Sequence, residues 1–399
     1  MMGTCGAQAE ERALTALRTR MAELTGTDPR DWFLTFKARH AMLTAFSAIR
    51  EALGRDVVVT SPFTCVTAVD PILSAGMPVR FADVTPDTLW LDADAVELGP
   101  DVAAVVLQHT FGIMSPGDAT LVRRAHEAGA VVVEDSAHCV GSMARGLDGA
   151  PLADVSVHSF GVEKVLPGVY FGGAVWVSPD CDERVRQALW DAFEDLPDLP
   201  RSIDRACRRY RNQMRVLTRL PRQLSQRFRS RWERRGVFEP AVATSEREGV
   251  VAHEPTLPSP WVAEQALTAL EGLASNARGR EAAVAAYLAT WGERTAALGV
   301  PASVTASPVL PLLRMPVFLA DTASADAAIA EVAAMGHYAQ AWPRPLLLPG
   351  VTDAAAFGVG DGFGCPVAED LSARVVALPT DIDARAAAEV ARAMLARLG

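Results

Sequence analysis

Short apolar runs recur along the first half of the chain: VVVT (57–60), PVRFADV (78–84), AAVVL (103–107), AVVVE (130–134), VSVHSF (155–160) and AVWVS (174–178). They lack regular polar alternation, as strands covered on both faces do, and helix-like stretches such as 118–128 separate them. Residues 10–25 carry Leu14, Leu17, Met21 and Leu24 at helical spacing. The pattern predicts an α/β fold with a mostly parallel sheet between helices. In such sheets ligands sit beyond the carboxyl ends of the strands.

The second half has a different rhythm. Residues 182–240 read as arginine-rich helix without strand runs. After the loop VAHEPTLPSPW (251–261), helix-like stretches at 262–275 and 279–297 lead to a strand at 308–318. A helix at 323–335, a Pro/Gly-rich stretch at 342–366, the run RVVALP (374–379) and a last helix at 384–398 follow. We expect a large domain over 1–250, containing the arginine-rich segment 201–236, and a smaller α+β domain over 251–399.

Half of the 399 residues are apolar and 22% are charged, enough to bury substantial cores. No window approaches the roughly 18 apolar residues of a membrane span and the first residues lack a signal-peptide pattern, so a cytoplasmic protein is expected. The net charge of −10 argues against nucleic acid as a partner. Six scattered cysteines, Cys5, Cys65, Cys139, Cys181, Cys207 and Cys365, without C-x-x-C spacing, predict free thiols and no metal site.

Composition sharpens the search for chemistry, because among 38 basic residues only Lys37 and Lys164 are lysines. Guanidinium stays protonated and forms no imine with a carbonyl, so a retained lysine is a candidate nucleophile. Asp135 directly follows AVVVE, where a carboxylate is costly to bury without a partner; alternatively it caps the following turn. Ser159 ends the next strand and Lys164 lies five residues beyond it. Gly172 and Gly173 either allow close backbone approach to a ligand or make a hairpin-like turn. An aspartate at one strand end and a serine and lysine after the next fit pyridoxal phosphate, with the lysine condensing with the aldehyde, the carboxylate facing the pyridine nitrogen and the serine on the phosphate.

Four segments carry a resemblance. FTCVTAVDPILSAGMPVRFADVTPDTLWLD (63–92), LQHTFGIMSPGDATLVRRAHEAGAVVVEDSAH (107–138), HSFGVEKVLPGVYFGGAV (158–175) and CPVAEDLSARVVALP (365–379) resemble, in order, motifs of the DegT/DnrJ/EryC1/StrS family of pyridoxal phosphate-dependent aminotransferases. The resemblance implies aminotransferase fold type I, with Lys164 as the cofactor lysine and Asp135 as the pyridinium partner. It places His138 near the cofactor's phenolic oxygen, the alternative being a core histidine satisfied by backbone. It further implies Ser159 at the phosphate and Thr64, with Phe63 or Cys65, lining the cofactor. Where the family has a small S/N-G-T phosphate loop this chain has KARHAM (37–42), so Ala38 and Arg39 take those places. Arg39 either charges the phosphate site or marks a reshaped loop, and Lys37 is a phosphate contact or a surface residue. The usual acidic residue before the Gly pair is absent, and the N-x-R segment that reaches the partner subunit reads TLPSPWVAEQA (256–266).

The implied activity is transfer of an amino group from an amino acid, with glutamate the expected donor, to a keto acceptor such as a keto sugar nucleotide or another secondary-metabolite ketone, in a homodimer with a shared active site. Alternatives are decarboxylation, elimination or carbon–carbon bond formation on a non-sugar substrate, or a non-catalytic binding or regulatory relative. The stretch 204–236 reads either as a membrane or carrier-protein contact or as an amphipathic helix pair packed on the large domain. The packed pair is preferred, since the rest of the chain is acidic enough to supply partners.

Overall fold

A computed structural model describes residues 3–114, 119–353, 355–359 and 364–397. The elements in chain order are α1 (Gly3–Thr25), β1 (Trp32–Thr35), α2 (Ala38–Leu53), β2 (Val57–Thr60), α3 (Asp70–Ser74), β3 (Val79–Phe81), β4 (Val102–Gln108), α4 (Thr120–Glu127), β5 (Val131–Asp135), β6 (Val155–Ser159) and β7 (Gly173–Val177). There follow α5 (Glu183–Glu194), α6 (Arg201–Leu217), α7 (Arg222–Arg234), α8 (Pro260–Glu271), α9 (Leu273–Trp291), β8 (Arg314–Phe318), α10 (Thr322–Ala334), α11 (Pro366–Arg374), β9 (Val375–Pro379) and α12 (Ala384–Ala396).

The first seven strands form one sheet in the order β1-β7-β6-β5-β4-β2-β3. β2 to β6 pair in parallel and β7 alone runs against its neighbours β6 and β1. This is the mostly parallel sheet that the apolar runs predict, and β4 to β7 are buried along their whole length because both faces are covered. On one face Val58, Val106, Val133, Val157 and Val175 pack with Phe46 and Ile49 of α2 and Leu189 and Phe193 of α5. On the other, Val59, Val105 and Val132 meet Leu121 and Ala125 of α4, while Leu34, Ala174 and Trp176 meet Leu17 and Met21 of α1 and Ala263 and Ala266 of α8.

A second sheet pairs β8 with β9 antiparallel, and α9 and α12 pack beside it around Tyr287, Trp291, Met315, Val376 and Met394. Of the expected strand at 308–318 only 314–318 forms; the preceding residues include Pro308 and Pro311. The helices expected at 118–128 and 384–398 extend onto Asp118 and Leu398, which lie outside the described residues, as does part of the Pro/Gly-rich stretch 342–366.

KARHAM is helix rather than loop. Lys37 is extended and Ala38 opens the sixteen-residue α2, which ends at Gly54 in the left-handed conformation with its N–H on the Arg50 carbonyl. β1, a four-residue strand, carries no long run and was not anticipated. Five cysteines are free thiols, and the side chain of Cys5 is outside the described residues. No helix among the described residues is long and apolar enough to cross a membrane.

Candidate active site

The register of the large sheet gathers the chemistry at one end. Gln108, the last residue of β4, stands beside Asp135, the last of β5; Asp135 stands beside Val157, and Ser159 at the end of β6 stands beside Gly173 at the start of β7. Beyond these ends lies a cavity of about 440 Å³, lined by Thr64, Cys65, Asp135, His138, Ser159 and Lys164 among others. It also takes in Ala38 and Arg39 at the start of α2.

Burial pushes the Asp135 carboxyl above its ordinary pKa, while the Lys164 ammonium and the Ala137 N–H, which donates to Oδ1 at 3.0 Å, pull it back. Among the described residues no group hydrogen-bonds the Lys164 amine. Asp135 is also the turn acceptor that the alternative reading supposed, and it faces the cavity as well. Beneath it Glu134 is completely buried and fully engaged: His109 Nε2 donates at 2.7 Å, and Ser156 Oγ and the Ala144 N–H donate to the same carboxylate. These donors outweigh burial and keep Glu134 ionised.

His138 combines its two readings. Its Nδ1 accepts from the Phe111 N–H at 3.0 Å, its ring meets that of Trp342 edge-on at 5.1 Å, and it lines the cavity. Burial pushes its pKa well below the usual histidine range, so the ring is neutral, and acceptance at Nδ1 leaves Nε2–H as its donor.

Thr64 Oγ1 donates to Gln108 Oε1, and the Gln108 amide donates to Thr110 Oγ1 at 2.6 Å and to the Phe63 carbonyl at 3.3 Å. Of the pair offered for the next position, Cys65 lines the cavity, whereas Phe63 lies behind the wall among the rings of Phe111, Phe318 and Trp342. Ser159 Oγ accepts from the Gly161 N–H at 3.2 Å. Gly172 takes a positive φ of 116°, while at Gly173 the close approach is to the protein itself, since a Cβ there would stand 2.7 Å from the Ala38 nitrogen. That contact seats the start of α2, whose first N–H groups have no partner within the helix, at the cavity.

Lys37 is not a surface residue. It is 6% exposed, forms an ion pair with Glu239, and donates to the Pro240 carbonyl at 3.3 Å. Arg39 pairs with fully buried Glu246 and donates to the Ala241 carbonyl at 2.7 Å, so its charge is already matched within the chain. Asp70 has both carboxylate oxygens without a hydrogen-bond partner, and burial pushes it well above the carboxylate range against the pull of nearby Arg39. The two cations that replace the expected phosphate loop thus hold the segment after α7 against α2. That segment forms a wall of the cavity through Ala241, Val242 and Arg247.

Several lining residues escaped the sequence. Tyr210 and Met214 of α6, Arg229 of α7, Arg314 and Trp342 come from segments far apart in the chain, and no local pattern marks them. Gln108 and His109 were within reach, since they stand at a strand's carboxyl end as Asp135 does.

Comparison with known proteins follows this geometry. The sequence model of the DegT/DnrJ/EryC1/StrS aminotransferase family matches residues 33–189, the stretch that supplies α2, the strand ends and Lys164. Over these residues the chain is similar to that family. A curated relative from Saccharopolyspora spinosa, dTDP-4-dehydro-2,3,6-trideoxy-D-glucose 4-aminotransferase, is 30% identical over 174 residues, 43% of this chain and 44% of the relative. The L-glutamine:2-deoxy-scyllo-inosose aminotransferase of Streptomyces kanamyceticus is 29% identical over 154 residues, 38% of this chain and 35% of the relative. The match therefore spans less than half the length of either relative. The crystal structure of an aminotransferase, TlmJ, from Streptoalloteichus hindustanus superposes with a TM-score of 0.66 at 22% identity, covering 96% of this chain and 91% of that one, a likeness of fold. The fold is that of the type I aminotransferases.

Proposed function

We propose that the protein is a pyridoxal phosphate-dependent aminotransferase that moves an amino group from an amino acid to a keto acceptor. The observation that carries this reading is the placing, within one cavity, of a Lys164 amine that makes no hydrogen bond among the described residues and a buried Asp135 at a strand end whose carboxyl it influences. The residues present fit the cofactor. The cavity is large enough for it, Asp135 would accept from its ring N–H, and the neutral His138 offers Nε2–H. Ser159 and the start of α2, at Ala38 and Arg39, would hold its phosphate, with Thr64 and Cys65 along its edge.

Pyridoxal phosphate, when bound, supplies an aldehyde that takes up and releases nitrogen and a ring that withdraws electrons. Lys164 supplies the amine that anchors the cofactor's aldehyde carbon and, once displaced by the donor, Nζ moves a proton to and from the reacting substrate carbon. Asp135 keeps a negative charge against the ring N–H, which favours the protonated ring. Glutamate is the proposed donor. A keto sugar is the proposed acceptor, on the strength of the sugar and cyclitol substrates that the relatives' names state. The proposed working unit is a cytoplasmic homodimer with a shared cavity, each subunit divided into parts 1–250 and 251–399.

The test is to add pyridoxal phosphate to the purified chain and follow the visible band it gains on condensing with a protein amine. The band is expected in the natural protein, lost in Lys164→Ala, and bleached by glutamate. A natural chain that gains no band sinks the proposal.

A further inference from the structure

The α6–α7 hairpin is the one strongly cationic part of an acidic molecule. Residues 201–235 carry thirteen arginines against Asp204 and Glu233, a net +11, which leaves −21 on the remainder of a chain whose total is −10. The acidic neighbours expected for these arginines are missing. Among the described residues the only ion pair made by this stretch is Arg208 with Asp204, inside α6 itself.

The two helices also differ in seating. α6 buries Ala206, Cys207, Tyr210 and Leu217, whereas α7 buries none of its residues. The less exposed positions of α7 are Ser225, Arg229, Trp232 and Glu233, which repeat at helical spacing and mark its inward side. The flank beside it carries Leu224 and Phe228, each 43% exposed and one turn apart, with the Phe228 ring against that of Trp232. Val216, 49% exposed, is the penultimate residue of α6, on the other side of the connecting turn 218–221. Apolar side chains thus bracket that turn, with Arg215, Arg219, Arg222 and Arg227 interspersed.

We infer that this turn and the exposed flank of α7 are a docking surface for an anionic lipid bilayer. A bilayer offers negative charge spread over a plane, which suits guanidinium groups placed around a helix, and behind it an apolar layer for three separated side chains. A folded acidic protein would need a matching pocket for each of them. The −21 elsewhere does not cancel the attraction, because at physiological ionic strength charges more than about 8 Å from the contact are largely screened. Docking needs none of the cavity chemistry, so it stands or falls separately from the aminotransferase reading.

The experiment is co-sedimentation of the full chain with vesicles of equimolar phosphatidylglycerol and phosphatidylcholine, beside vesicles of phosphatidylcholine alone. Binding is expected only to the anionic vesicles and is expected to weaken as salt is raised. The Arg219→Glu, Arg222→Glu, Arg227→Glu triple variant should bind roughly tenfold or more weakly, and Leu224→Asp with Phe228→Asp should also lose binding while every arginine remains. Circular dichroism and the melting midpoint should be unchanged, since these positions are exposed. Absence of binding to the anionic vesicles, equal binding to the neutral ones, or full binding by the Leu224/Phe228 variant overturns the proposal. So does retention on immobilised poly-L-glutamate without vesicle binding, which would assign the surface to an acidic protein. Self-association that the triple variant abolishes would assign it to a second copy of the chain.

Discussion

The cavity has two walls of different construction. The inner wall, with Asp135, His138, Ser159 and Lys164, is set by backbone: parallel strands end in register, and each functional group sits at or just past an end. The outer wall, with Ala241, Val242 and Arg247, is set by side-chain charge: Lys37 grips Glu239 and Arg39 grips Glu246. A sheet positions groups through many hydrogen bonds at once, whereas the outer wall hangs on two buried ion pairs, so a single substitution can loosen it.

Breaking the inner wall should cost function first. On the proposed function, Lys164→Ala is expected to lower the transamination rate by roughly 10²–10⁴-fold from proton transfer alone, with a smaller effect on the urea midpoint, because the amine gives up no hydrogen bond among the described residues and only its charge near Asp135; turnover and a denaturation curve check both. Breaking the outer wall should cost stability instead. Arg39→Met leaves Glu246 charged and buried, a loss of about 3–5 kcal/mol, and the double variant Arg39→Met, Glu246→Gln should recover much of it. A double variant no better than the single would show that the pair does not hold this wall.

The same contrast has a pH signature. Burial raises the Glu239 pKa, but Lys37 foremost, with His253, outweighs it and holds the group at about 2, against an ordinary value of 4.5. A depressed carboxylate contributes stability that is present above the unfolded pKa and lost as pH falls through the folded one. The pair should therefore weaken between about pH 4.5 and about pH 2, by on the order of 3 kcal/mol. Melting midpoints of the natural chain across that window should fall more steeply than those of Glu239→Gln. The smallest expected effect links the two walls: Gly173→Ala pushes a Cβ toward Ala38 and should cost about 1–3 kcal/mol, together with weaker cofactor binding if the start of α2 shifts; calorimetry and a cofactor titration measure each.

Legibility in the sequence follows the same division. Runs such as AVVVE and VSVHSF announce buried parallel strands, and the rule that ligands lie past their carboxyl ends leads to Asp135, Ser159 and Lys164. What the runs hide is long-range pairing. Nothing local in KARHAM says that Lys37 faces a glutamate 202 residues later in the chain, so the sequence offers only a phosphate contact or a surface residue for Lys37, and a phosphate charge or a reshaped loop for Arg39. Phe63 and Cys65 could not be told apart either, since adjacent residues in an irregular segment divide between core and cavity only once the surrounding rings are placed. α7 packs on the body through Trp232 while Leu224 and Phe228 stay exposed, a division that the helical spacing of its apolar residues does not by itself reveal.

The reversal of β7 has one more consequence. Because it runs against β6, Ser159 and Gly173 stand side by side, and Lys164 rides on a hairpin whose two feet are fixed in the sheet. The entropy of closing such a loop grows only logarithmically, about 0.6 kcal/mol for each doubling of length. Chain closure is therefore a small part of what holds this stretch: between its feet Phe160, Val165, Leu166, Val169 and Phe171 are buried, so packing as well as pairing fixes where Lys164 stands.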